Sequence, residues 1–147
     1  MGPRTSLTDM GIAGILVSLH VFANVVWIGS ILAVGRVIES SEGDAKTRGA
    51  LALKIYKGLS TPAFVISFLA GAARLALNLD YYFVATHFMH AKLLLALVVI
   101  GLHHVMGARA KKTAGGAADA AAAVPGLTIG ILVAAGLVVF LVIMKPF

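Results

Sequence analysis

The sequence predicts an all-α integral membrane protein, a single domain (1–147) folded as a bundle of four transmembrane helices. Composition is the first observation behind this. Of 147 residues, 60% are hydrophobic and 12% charged, with a mean hydropathy of +0.99. A soluble domain runs about 45–50% apolar and about 25% charged, so half the usual charge is left to cover a surface. That excludes a soluble enzyme and a disordered tail. The second observation is four apolar runs, 10–34, 59–79, 83–108 and 124–144. Each reaches the roughly 20 residues a helix needs to cross a bilayer. They are continuous and rich in Leu, Val and Ala, unlike the short alternating segments of a membrane barrel.

The third observation is where the basic residues fall. Between runs one and two lie Arg36, Lys46, Arg48, Lys54 and Lys57; between runs three and four lie Arg109, Lys111 and Lys112. Eight of the twelve Lys and Arg thus share one side, which the positive-inside rule makes cytoplasmic, with both termini outside. The net charge of +6 therefore reads as membrane topology, with the bilayer as partner and no role for nucleic acid. Without cysteine there is no disulfide, thiolate nucleophile or iron–sulfur cluster.

Taken in order, run one is too long for a signal peptide, although Arg4 precedes it, and reads as a retained helix. The amphipathic stretch 45–58 reads as an interfacial helix or an inward extension of span two. Pro62 is placed at the start of span two and Pro125 at the start of span four, where a missing N–H costs little. The Ala/Gly segment 113–123 reads as a plain linker. Gly126, Gly130 and Ala134 form a small-residue packing face, and such faces suggest a homo-oligomer.

Polar groups inside spans are costly and mark function by default. Span one holds His20, Asn24 and Trp27, spaced four and three along one stripe. Span two holds Ser67, Arg74 and Asn78. Span three holds His87, His90, Lys92, His103 and His104. At 100° per residue, His90 and His104 fall within roughly 40° of each other, and Lys92 and His103 within about 20°. His20 and His90 lie at similar depth, roughly 15 and 12 Å into their runs. Two imidazoles at one level can take the two axial positions of a haem iron, so His20 and His90 are the candidate iron ligands. Zinc or copper is disfavoured, because no carboxylate lies in any span. Trp27, mid-span, suits packing against a ring or a helix. Arg74 either snorkels to the headgroups or pairs with an anion such as a propionate. One haem b is the economical count; His103 and His104 leave room for a second. His87 reads as an interfacial residue, and His104 as a cofactor contact or an interface anchor.

These motifs resemble the HemJ-type protoporphyrinogen oxidase family of bacterial membrane proteins. The likeness runs through Leu19-His20-Val21, Val26-Trp27-Ile28-Gly29 and Arg36, then Thr61-Pro62, His90-Ala91-Lys92-Leu93, His103, Gly107, Val124-Pro125 and the closing Lys145-Pro146-Phe147. It implies a multi-pass protein of the bacterial inner membrane. Such a protein binds haem b, oxidises protoporphyrinogen to protoporphyrin and passes electrons towards quinone. His20, His90 and Lys92 match residues that family needs, with Lys92 in a catalytic role and Asn24, Trp27, Arg74, His103 and His104 around the cofactor. The chain departs from the family where Ala63-Phe64 replaces Gly-Met, Ala122-Ala123 replaces Asn-Glu, and Leu102 replaces the Tyr before its histidine. A membrane cytochrome or a haem or metal carrier without turnover is the alternative function.

Overall fold

The structure, a computed structural model, describes residues 7–85 and 88–144. The expected positions Arg4, His87 and 145–147 lie outside them. The described chain is helical, with no strand among its described residues. Helix α1 spans Leu7–Glu39, α2 Ala45–Ile55, α3 Thr61–Ala76, α4 Phe88–Ala114 and α5 Val124–Met144. α2 and α3 are two halves of one rod, so four helices are long and apolar enough to cross a membrane.

Several ends differ from the expected spans, each for a local reason. α1 runs five residues past Val34, where Arg36 pairs with Glu39 one turn on, at 3.1 Å. Gly43 then takes a positive φ of 71°, which a side chain would resist, and the chain re-enters a helix. Asp44 caps that helix, accepting from the Thr47 backbone N–H at 2.9 Å and from its hydroxyl at 2.8 Å. These two donors stabilise the charged carboxylate and hold Asp44 below the usual carboxylate range. The stretch 45–58 is thus the extension of span two and not a separate interfacial helix.

Pro62 stands, as expected, in the first turn of α3, and the rod runs on through it from α2. A π turn, Tyr56–Ser60, comes just before it, and the Thr61 N–H reaches back five residues to the Tyr56 carbonyl. The wider turn changes the hydrogen-bond register at the point where proline can donate nothing. At the far end of the bundle, α4 continues to Ala114, six residues beyond its expected end. The supposed linker then forms a 3-10 turn, Ala118–Ala121, with Ala120 buried. α4 stops where Gly115 and Gly116 turn the chain, Gly116 at a positive φ of 94°, so the segment remains a connector that holds one short 3-10 turn.

The bundle is packed unevenly along its length. At the end carrying the two basic loops, α1, α2, α4 and α5 enclose a core of Ile31, Val34, Ile38, Ala52, Met106, Ala110, Val124 and Ile131. Gly49 of α2 lies directly on the Thr113–Ala114 backbone of α4, leaving no space for a Cβ. At the end carrying the termini, α3 stays against α1 but makes little contact with α4. The outward surface is apolar throughout, with Ile15, Phe22, Val25, Val84, Leu94 and Ile143 each about two-thirds or more exposed. Such a surface suits hydrocarbon and not water.

Candidate functional site

Where α3 and α4 part, the terminal end holds a cavity of about 490 Å³. α1 contributes His20, α3 contributes Gly71 and Arg74, and α4 contributes Lys92. Asn78 and Tyr82 come from the connection between α3 and α4. Ser67, Gly71 and Arg74 are spaced four and three residues apart, which places them on one face of α3, and Asn78 follows four positions on, just past its end.

His20 is held at both ring nitrogens. Nδ1 lies 2.7 Å from the Ser67 carbonyl, with the Ser67 hydroxyl at 3.3 Å. A carbonyl can only accept, so Nδ1 carries the proton and Nε2 carries the lone pair. Asn24, one turn along, donates from Nδ2 to Nε2 at 3.1 Å and to the His20 carbonyl at 2.9 Å. Beneath the ring lies Gly71, whose missing Cβ would stand 2.8 Å from His20 Cε1 and Nδ1. The glycine is thus a cradle for the imidazole.

The rest of the wall is cationic. Arg74 is half-buried, its guanidinium 5.4 Å from the centre of the Tyr82 ring, a cation–π distance. Its buried Nε has no hydrogen-bond partner among the described residues. Lys92 is half-buried on the facing helix. No Asp or Glu is among the described lining residues, and the ion pair found among the described residues is the remote Arg36–Glu39. Two half-buried cations with no carboxylate among the described lining residues form a site that can receive an anion.

The histidines of α4 divide by face. His103 is fully buried, while His90 and His104 are exposed. Lys92 lines the cavity, and His90, two residues earlier, is turned about 200° away; it is not in the described lining, and its ring meets Phe83 at 5.7 Å. The structure therefore does not bring His20 and His90 together around one space.

His103 belongs to a second cluster deeper in the bundle. Its Nδ1 accepts from the Trp27 indole N–H at 3.0 Å. Its ring stacks on Tyr56 at 4.8 Å and lies 5.3 Å from Phe64, and Trp27 and Phe64 are 5.0 Å apart. His103 Nε2 is buried without a described partner. His104 meets the edge of this cluster, 5.9 Å from Phe64. Gly107, one turn on, sits directly under the Tyr56 ring. Of the sequence-predicted residues, His20, Arg74 and Lys92 thus share the cavity, Asn24 holds His20 from behind, and Trp27, His103 and His104 form a separate aromatic cluster.

Gly71 and Tyr82 carried no signal as site residues, and Tyr56 lay in the amphipathic stretch read as an interfacial helix or an extension of span two. The spacing of Ser67, Arg74 and Asn78 was a usable signal, since it passes through position 71. No group of three or more potential ligands for a metal ion occurs among the described residues. Comparison with protein-family models, curated proteins and solved structures found no match.

Proposed function

We propose that the terminal-end cavity binds haem b, with His20 as its iron ligand and Arg74 and Lys92 as the partners of its carboxylates. The carrying observation is an imidazole with its Nδ1 proton fixed on a carbonyl, beside two cations with no carboxylate among the described lining residues. The fit rests on the His20 surroundings. A metal-bound histidine characteristically donates its other ring N–H to a carbonyl or carboxylate, which fixes the tautomer. The bond from Nδ1 to the Ser67 carbonyl is of that kind. Gly71 leaves the ring room to stand upright, and the wall is apolar and aromatic apart from its few polar groups, as cofactor sites are.

On this reading the protein is a membrane oxidoreductase with the activity its motifs resemble, oxidation of protoporphyrinogen with electrons passed towards a quinone. When bound, haem b supplies the electron-transfer chemistry. The chain's own residues orient and hold: His20 offers a lone pair, while Arg74 and Lys92 fix acidic side chains of a tetrapyrrole, cofactor or substrate alike, and Lys92 faces the reacting molecule. The basic loops lie in the cytoplasm and the termini outside, in a bacterial inner membrane, and copies associate through small-residue faces such as that of α5. His90, turned outward, is not used here as an iron ligand. A carrier or cytochrome without turnover is the second reading, favoured by that same outward turn.

The test is the visible spectrum of detergent-purified protein, oxidised and dithionite-reduced, beside His20→Ala and His90→Ala. A Soret band lost in His20→Ala and kept in His90→Ala is expected. A protein that remains colourless after hemin is added, or a spectrum unchanged in His20→Ala, overturns the proposal. Turnover of protoporphyrinogen by the coloured protein separates the oxidase from the carrier.

A further inference from the structure

We infer that Asn24 is a competitive cap on the His20 lone pair, a built-in restraint on ligand binding, and not a contact for the ligand. The inference rests on the reading of His20 as the iron ligand. Asn24 looks at first like another polar residue of the site, four positions from His20 on the same stripe. Its hydrogen bonds indicate otherwise. Because Nδ1 donates to the Ser67 carbonyl, Nε2 is the acceptor, and what faces Nε2 is the Asn24 amide nitrogen at 3.1 Å. The amide cannot be turned over to present its oxygen. The same nitrogen also donates to the His20 carbonyl at 2.9 Å, and a flip would set oxygen against both acceptors. One NH2 group thus uses its two hydrogens on one residue, the backbone oxygen anchoring the amide and the imidazole being capped. Asn24 does not line the cavity, among the residues described there, whereas His20 does.

Any ligand that takes the Nε2 lone pair must first break the bond from Asn24. The cap does two things in the free protein. It satisfies a half-buried nitrogen that would otherwise stand unpaired in an apolar setting, and it keeps the ring in the tautomer and orientation a ligand needs. Its cost is a weaker apparent affinity, since the open state is a fraction of the whole. Removing the donor while leaving the Ser67 bond in place strengthens binding by roughly two- to tenfold, the range for one ordinary neutral hydrogen bond.

The experiment is hemin titration of the full chain in detergent, followed at the Soret band, for wild type, Asn24→Leu, Asn24→Ser and His20→Ala. Leucine preserves bulk without a donor, and serine is too short to reach Nε2, so either variant serves if the other disturbs packing. Tighter hemin binding in the Asn24 variants, abolished when His20→Ala is added, is the expected result. Binding that depends on His20 but is equal or weaker in both Asn24 variants overturns the cap and leaves the haem site standing. Binding indifferent to His20 in every background overturns the haem-site reading itself. A second readout needs no ligand: histidine ring ¹⁵N shifts of the free protein should show a protonated Nδ1 in wild type, with the Nε2 resonance moving in Asn24→Leu as its donor is lost. An unmoved Nε2 resonance overturns the cap.

Discussion

The two inward histidines of this bundle, half-buried His20 at the terminal end and buried His103 deeper in, are held in opposite tautomers. His20 gives its Nδ1 proton to a carbonyl and keeps its lone pair on Nε2, where Asn24 donates to it. His103 accepts an indole proton at Nδ1, so its own proton sits on Nε2. The first arrangement is a ligand in waiting; the second is a donor, unable to bind a metal through Nε2 without losing that proton. The surroundings follow the same division. His20 stands beside a cavity with two cations, where α3 and α4 separate, and His103 is buried among Trp27, Tyr56 and Phe64. Residue type alone makes these two positions equivalent, and the hydrogen-bond partner makes them different.

The largest effect expected from breaking the contrast is at His20. His20→Ala should abolish haem binding, whereas His103→Ala should keep the haem spectrum and lower thermal stability, because it empties a fully buried position. Loss of the spectrum in both variants would remove the division. Next in size is the pair of glycines under the rings. Gly107→Ala drives a methyl into Tyr56, and overpacking of this kind costs about 1–3 kcal/mol. It should appear as a lower melting temperature with unchanged haem affinity. Gly71→Ala meets His20 instead, and should weaken hemin binding by more than it lowers melting. A smaller effect is expected at Trp27→Phe, which removes the donor to His103. Hydrogen bonds between membrane helices average about 0.6 kcal/mol and reach about 1.7, so a stability loss near 1 kcal/mol is expected. The ¹⁵N shifts of His103 should then show its two tautomers mixing, with those of His20 unmoved.

How far this contrast was legible in the sequence depends on which residues are asked about. The four spans follow from hydropathy and length, which act on the whole segment. The helical wheel placed Lys92 with His103 and His90 with His104, and the structure keeps those pairs: the first turned in, the second exposed. Which pair faces inward was not legible. α4 is apolar on every side, and in a bilayer apolar residues do not indicate the interior. Equal depth for His20 and His90 did not decide which residues meet: it is Lys92, two positions on, that shares the cavity with His20. The tautomers were out of reach, because each is set by a partner 47 or 76 positions away. The π turn before Pro62 was hidden for a similar reason: a proline inside an apolar run reads as a helix start unless the preceding hydrogen bonds are seen.

The smallest expected effect lies outside both regions, at the cap between α1 and α2. Asp44 is fully exposed, yet two donors from Thr47 favour its charged form and lower its pKa from the ordinary 3.8. A carboxylate whose folded pKa lies below its unfolded one adds stability that is fully present above the unfolded value. That stability is lost as pH falls through the folded value. The contribution should therefore persist unchanged from neutral pH to about 4 and fade only below 3.8. In Asp44→Asn the side chain still accepts at the cap but does not titrate, so melting temperature should lose that final acid decline and otherwise follow wild type. A difference between the two proteins that begins instead near pH 6 would not come from Asp44.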